Sequence, residues 1–121
     1  MTKKSENNKF SIKRRLQSFT YAFKGIVYAL KSQHNLWIHL TASILVIVFG
    51  FYFQINSYEW FAVVLCIGFV ISAEIFNSAI EALTDLASPD YNKKAGLVKD
   101  MAAGAVLISA IISAVIGLIV F

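Results

Sequence analysis

The sequence predicts an all-α integral membrane protein with an N-terminal amphipathic surface helix and three transmembrane helices. Three observations lead to this fold. Of the 121 residues, 58% are hydrophobic and only 15% are charged, whereas soluble domains usually carry about 25% charged residues. Three apolar segments reach roughly the 20 residues that a membrane-spanning helix needs. A basic segment with helical periodicity precedes them, and the chain length suits a single domain, 10–121.

The N-terminal segment carries much of the positive charge. Residues 1–9 are polar and predict a disordered basic tail. The first fifteen residues, MTKKSENNKFSIKRR, hold six Lys or Arg against Glu6 alone. A nucleic-acid-binding arm would show the same charge, but a basic segment beside a membrane domain more often faces anionic lipid. We therefore expect a membrane partner and no nucleic acid.

The segment 10–33 predicts a helix lying on the membrane surface. Its apolar residues recur at alternating steps of four and three, which is one face of a helix. The other positions include Lys13, Arg14 and Lys24. A helix with a basic polar face and aromatic residues on its apolar face lies in the membrane interface. Packing of the apolar face on protein is the alternative. The apolar residues are Ile12, Leu16, Phe19, Phe23, Ile26 and Leu30.

The three predicted spans are 36–53, 60–83 and 101–121. The connection 54–59 has no Lys or Arg, whereas the loop 85–100 has Lys93, Lys94 and Lys99. The positive-inside rule therefore predicts that the N-terminus and the 85–100 loop are cytoplasmic and that the C-terminus lies outside the plasma (inner) membrane. Pro89 is expected to end the helix of the second span.

The second span carries polar residues that a membrane helix rarely holds. At about 100° per residue, five of them fall within a wedge about 100° wide. An ionised carboxylate inside a bilayer costs at least about 2.5–3.5 kcal/mol, so these positions predict a function. Carboxylate and amide oxygens suit Mg²⁺ together with phosphate oxygens, and a shielded carboxylate can accept a proton. The five residues are Glu74, Asn77, Ser78, Glu81 and Asp85, of which Asp85 is the one expected to reach the headgroups.

Lys99 and Asp100 precede the third span at the membrane depth where the second span ends. Lys99 suits a phosphate, and Asp100 suits a helix N-terminus or a metal; two membrane-border anchors are the alternative. The sequence has no GxxxxGK[ST] phosphate loop, no GxGxxG motif and no protein-kinase motif. His34 and His39 lie about 140° apart on a helix, which argues against a shared zinc site. The residues alone predict a site for metal and phosphate but no reaction.

The stretch AEIFNSAIEALTDL followed by GLVKDMAAGAVL resembles the signature of the prokaryotic diacylglycerol kinase family. The shared pattern is E-x-x-N-[ST]-A-I-E-x-x-x-D, with K-D about fourteen residues later. The resemblance extends from about Arg14 to the C-terminus. It implies a homotrimer whose sites are shared between subunits. It also implies transfer of the γ-phosphate of ATP, with Mg²⁺, to a lipid hydroxyl.

The resemblance also implies roles for single residues. Glu74 matches the general base that deprotonates the lipid hydroxyl, Asn77 an orienting residue, and Glu81 a metal ligand. Lys99 matches the lysine on the nucleotide phosphates, and Asp100 matches its acidic neighbour. Further nucleotide or lipid contacts are implied at Arg14, Tyr21, Asp90, Tyr91 and Asn92.

Gln33 departs from the family pattern, which has a metal-binding glutamate at this position. An amide oxygen can still ligate Mg²⁺, but it brings no charge. The implied acceptor is diacylglycerol, giving phosphatidic acid, or alternatively undecaprenol, because the run from His34 to His39 resembles that branch. A non-catalytic scaffold or lipid-binding subunit is a second alternative, which Gln33 supports. An ion or proton pathway along the polar face of the second span is a third.

Overall fold

The computed structural model describes residues 11–121, which form four helices joined by short connections. They are α1 (Ile12–Ser32), α2 (His34–Tyr52), α3 (Ser57–Ala87) and α4 (Lys93–Val120). The all-helical prediction is confirmed for this part of the chain. The predicted tail, 1–9, lies outside the described residues.

Helix α1 forms where the apolar periodicity predicts it. Ser11 caps it by accepting a hydrogen bond from the backbone N–H of Arg14 at 3.2 Å. Gln33 has an extended backbone, φ −117° and ψ 113°, and separates α1 from α2. The indole Nε1 of Trp37 donates to the Leu30 carbonyl at 2.6 Å, which ties the two helices at this corner. The placement of α1 on the membrane surface stays a prediction.

Close packing fixes the corner between α2 and α3. Gly50 is buried, and a Cβ at this position would lie 2.6 Å from the Trp60 ring. Asn56 then caps α3 with a capping box, in which its side chain and that of Glu59 each accept from the other's backbone N–H. This reciprocal arrangement satisfies two N–H groups that a helix start leaves without partners. Trp60 is half-buried and packs partly inside this corner.

Helices α2, α3 and α4 are each long and apolar enough to cross a membrane. Helix α3 has 31 residues and α4 has 28, or about 46 and 42 Å at ~1.5 Å per residue. Since the hydrocarbon core is about 30 Å thick, both extend beyond the predicted spans.

The predicted loop 85–100 is wrong in extent, because the connection covers only residues 88–92. Helix α3 ends at Ala87, just before Pro89, as expected. However, the Asn92 side chain accepts hydrogen bonds from the backbone N–H groups of Lys94 and Ala95 and starts α4 there. This cap lies outside the apolar segment, so hydropathy does not detect it. Asp100 consequently lies within α4 and does not cap it.

Helices α3 and α4 pack antiparallel against each other, and α2 packs on α3. The buried residues of α3 are Val63, Val70, Glu74 and Asn77. Their spacing of seven, four and three residues places them on one helical face. The apolar packing face of α3 therefore continues directly into its polar residues, and the same packing that holds the helices positions the site.

Candidate active site

Glu74 is the most deeply buried charged residue of the described chain, with 1% of its surface exposed. Its Oε2 lies 3.5 Å from Nε2 of His39 on α2. Its Oε1 is buried and accepts no hydrogen bond from any described residue. Burying a carboxylate oxygen without a donor is costly, so a structural role alone does not account for this residue.

Asn77 lies one turn further along α3 and is 6% exposed. Its Nδ2 donates to Oε1 of Glu81 at 3.3 Å, while its Oδ1 is buried and has no hydrogen-bond donor among the described residues. The amide therefore links Glu81 to the neighbourhood of Glu74. Two buried acceptors, Oε1 of Glu74 and Oδ1 of Asn77, suit a ligand that brings a hydroxyl or another donor.

Glu74 and Asn77 line a cavity of about 350 Å³ between α2, α3 and α4. Asn35 and His39 also line this cavity, and its remaining lining residues are apolar, among them Ala103 and Leu107. Such a cavity, apolar with a few converging polar groups, is typical of a small-molecule site.

A second cavity of about 470 Å³ lies between α1 and the far end of α3. Gln33, Glu81 and Asp85 are among the residues with side-chain oxygens that line it, and Tyr28 of α1 forms part of the wall. The expected metal-binding residues Gln33 and Glu81 are thus brought to one cavity. The hydrogen bond from Asn77 to Glu81 connects this cavity to the one that holds Glu74.

Lys99 forms an ion pair with Asp85, so its ammonium group stands at the edge of the second cavity. Helix packing brings these residues together from opposite sides of the connection 88–92. Asp85, which the sequence suggests as a simple interfacial charge, is therefore the partner of the lysine expected at the nucleotide phosphates. Both side chains are at least 39% exposed, so the pair contributes little to stability.

The remaining predicted residues are not brought to either cavity. Asn92 caps α4. Asp100 is exposed, and Tyr91 has 91% of its surface exposed. Three others, Arg14, Tyr21 and Asp90, are also exposed and line neither cavity.

Comparison with known proteins identifies the family. A family model described as prokaryotic diacylglycerol kinase matches residues 20–121. The chain belongs to the prokaryotic diacylglycerol kinase family. It is 35% identical over 117 residues to an undecaprenol kinase of Bacillus subtilis, covering 97% of this chain and 95% of that protein. It is 34% identical to a diacylglycerol kinase of Synechocystis, covering 84% of this chain and 59% of that protein. A diacylglycerol kinase of Escherichia coli K12 is 28% identical, with 90% and 89% covered.

The family assignment agrees with the three helices that are long and apolar enough to cross a membrane. The chain is a membrane protein of a lipid-kinase family, and the carboxylates lie on the face of α3 that packs against the other helices. The sequence resemblance to the prokaryotic diacylglycerol kinases is thereby confirmed.

Phosphoryl transfer by a kinase of this family implies a metal ion, and the side chains of the described residues can be compared with what Mg²⁺ needs. Among residues 11–121, no three His, Cys, Asp or Glu side chains come together as a metal site. Mg²⁺ needs fewer, because it usually binds through one or two carboxylates together with substrate phosphates and water. The oxygen groups of Glu81 and Gln33 on one cavity fit that requirement.

His39 is the site residue that sequence reasoning missed. In the sequence, His39 stands out in a pair with His34 that argues against a shared zinc site and in the run that resembles the undecaprenol branch, and neither pattern predicts a contact with Glu74. Its contact with Glu74 joins two helices, and the relative register of α2 and α3 is not readable from either segment alone. The available signal was a histidine within an otherwise apolar span, which is by default a functional position.

Proposed function

We propose that this chain is a lipid kinase that transfers the γ-phosphate of ATP to the hydroxyl of a membrane lipid. The observation that carries the proposal is the buried Glu74 carboxylate, whose Oε1 has no donor among the described residues and lies in a cavity shared with Asn77. A lipid hydroxyl entering this cavity supplies the donor that Oε1 lacks. A carboxylate placed this way acts as a general base.

The proposed transfer is a single displacement. The lipid oxygen attacks the γ-phosphorus of ATP, and a new O–P bond forms. The bond between the γ-phosphorus and the oxygen bridging to the β-phosphate breaks, and ADP leaves. The hydroxyl proton passes to Oε1 of Glu74, and the Asn77 amide orients the hydroxyl. Positioning and charge neutralisation supply most of the catalysis in such reactions.

The second cavity is the proposed phosphate site. Glu81 and Gln33 would hold Mg²⁺, which would neutralise charge on the β- and γ-phosphates of bound ATP. Lys99 exchanges its Asp85 partner for a phosphate oxygen when ATP binds. About 10 Å of helix rise separates Glu74 from Glu81, at ~1.5 Å per residue. The side chains of Glu74 and Glu81 can span this separation and converge on one γ-phosphate, with Asn77 between them.

Undecaprenol is the acceptor that we favour. The relative whose sequence aligns with nearly the whole of this chain, and over nearly its own full length, is named an undecaprenol kinase. Diacylglycerol, the acceptor expected first from the sequence, is the second candidate, because two other relatives carry that name. Both lipids present a primary hydroxyl at the membrane surface, so the same proton acceptor serves either one.

We further propose that the site is completed in a homotrimer, with the connection 88–92 and α1 on the cytoplasmic side of the plasma (inner) membrane and the C-terminus outside. Cellular ATP is cytoplasmic, and the basic segments lie on that side by the positive-inside rule. A single copy leaves the outer faces of α3 and α4 exposed. The remaining proposed nucleotide contacts are then assembled between copies: Arg14, Tyr21, Asp90, Tyr91, Asn92 and Asp100.

The test is phosphate transfer by purified protein in detergent micelles. Protein, Mg²⁺ and ATP labelled at the γ-phosphate are incubated separately with undecaprenol and with diacylglycerol, and the extracted lipid is counted. We expect label in the lipid, with undecaprenol labelled faster at equal mole fraction. Faster labelling of diacylglycerol would reverse the acceptor assignment. Label in neither lipid would refute the kinase and favour a scaffold or lipid-binding subunit.

A further inference from the structure

Among residues 11–121, His39 and Glu74 form a polar link between α2 and α3 that the proposed chemistry does not use. Nε2 of His39 lies 3.5 Å from Oε2 of Glu74, and the two side chains are 22% and 2% exposed. Within residues 11–121, His39 is the basic side chain that contacts this carboxylate. The other carboxylate near it, Glu81, is engaged by Asn77.

The two oxygens of Glu74 are in different situations. Oε2 faces the imidazole, whereas Oε1 is buried without a donor and lies in the cavity shared with Asn77. A carboxylate that is held through one oxygen cannot rotate freely, so its other oxygen is kept pointing in one direction. A base that is held in position through a third group is a recurrent arrangement in enzyme sites.

His39 is well placed to hold this orientation. Its side chain lines the cavity that contains Glu74 and also a neighbouring apolar cavity of about 290 Å³. Its backbone carbonyl accepts from the Ser43 hydroxyl at 2.7 Å within α2. The distance of 3.5 Å is long for a hydrogen bond, but polar contacts in ligand-free sites are often long and shorten in the reactive complex.

We infer that His39 is a positioning residue for the proposed base: its Nε2–H holds Oε2 of Glu74 and thereby directs Oε1 at the lipid hydroxyl. The inference rests on the proposed lipid kinase function. It assigns no proton transfer to the imidazole itself. The proton of the lipid hydroxyl goes to Oε1, and the imidazole keeps its own.

Two substitutions at His39 separate positioning from packing. In H39Q the amide nitrogen reaches about as far as Nε2 and still donates, whereas H39L fills similar space and donates nothing. We expect H39L to lower kcat by about 10- to 100-fold, the loss expected when a hydrogen bond to a charged group is removed. The KM for ATP stays close to that of the wild type, and H39Q keeps most of the activity. H34L, at the exposed first residue of α2, is the matched control.

Imidazole nitrogen NMR provides a measurement that does not depend on activity. The chain has only two histidines, so the His34 signals serve as an internal reference in the micelle-embedded protein. We expect E74Q to shift the His39 nitrogen signals and to leave those of His34 unchanged. Unchanged His39 signals in E74Q would overturn the contact even if the wild-type enzyme is active.

The kinetic outcomes complete the test. A kcat for H39L equal to that of H34L would overturn the positioning role. Equal losses of kcat in H39L and H39Q would also overturn it, provided that thermal unfolding curves show both variants to be folded. If the wild type phosphorylates neither lipid, the proposed function fails and the role of the contact fails with it. If the wild type is active but the His39 signals do not shift in E74Q, the positioning inference alone is refuted.

Discussion

Replacing Gln33 by glutamate supplies the carboxylate that the family resemblance leads us to expect at this position. Gln33 and Glu81 line the same cavity, so the substitution places a second negative charge beside the proposed metal ligand. The backbone of Gln33 is already extended, and its side chain makes no capping hydrogen bond to α2. The change therefore removes no cap interaction, and its main effect falls on the cavity.

The magnitude follows from the charge added to an open cavity. Two unit charges about 4 Å apart interact by roughly 1 kcal/mol in water and about 4 kcal/mol near a protein surface. Gln33 is half-buried, and bringing its new carboxylate to the metal costs some hydration, so we take a value near the lower end, ~1.4 kcal/mol. That corresponds to about a tenfold lower Mg²⁺ concentration at half-maximal activity.

The assay is lipid phosphorylation by wild type, Gln33→Glu and Gln17→Glu across a range of Mg²⁺ concentrations at saturating ATP. Gln17 is exposed on α1, the helix that ends just before Gln33, and lies outside the cavity, so Gln17→Glu adds the same charge away from the proposed metal site. We expect the Mg²⁺ requirement to fall in Gln33→Glu alone. An unchanged requirement in Gln33→Glu, or an equal fall in both variants, would refute the placement of the metal between Gln33 and Glu81.

Two further substitutions test the fold and the phosphate site. Gly50→Ala should lower stability by about 1–3 kcal/mol, because the added Cβ overpacks against Trp60. Gly68→Ala has open space around its Cβ and should be neutral or stabilising by up to about 1 kcal/mol. Thermal unfolding of both variants in micelles compares them, and equal unfolding midpoints would contradict the packing described for the corner between α2 and α3. Lys99→Met should raise the KM for ATP by about tenfold or more, because a charge-assisted contact to phosphate is lost. Lys94 is exposed, and Lys94→Met should leave the KM for ATP unchanged. Equal KM values in the two variants would contradict a place for Lys99 in the phosphate site.

Hydropathy predicted the three long apolar helices and their order because long apolar segments have few alternatives in a membrane, and helical periodicity predicted α1. It could not predict where α4 begins. That boundary is set by the Asn92 side chain, which accepts two backbone hydrogen bonds outside the apolar segment. Polar residues beyond the bilayer can continue a helix without any hydropathy signal. Helices α3 and α4 are therefore longer than the apolar segments from which they were predicted.

The polar face of α3 was predictable for a similar reason, since helical geometry alone places Glu74, Asn77 and Glu81 together. Contacts between helices were not predictable, because they depend on how one helix is rotated and shifted against another. The contact from His39 to Glu74 and the ion pair from Lys99 to Asp85 both belong to this class. The second pair also changes the interpretation of Asp85, from a headgroup-level charge to the partner of a proposed phosphate ligand.

The rate of lipid phosphorylation in Glu74→Gln, measured together with nucleotide affinity, tests the central claim most directly. Glutamine keeps the size of the side chain and loses the proton-accepting charge, so we expect kcat to fall by about 10²–10⁴-fold, the range for loss of a general base. ATP affinity should stay near the wild-type value, because the proposed metal ligand Glu81 lines the other cavity and the proposed phosphate ligand Lys99 lies at its edge. A Glu74→Gln enzyme that phosphorylates lipid at the wild-type rate would contradict the assignment of Glu74 as the base.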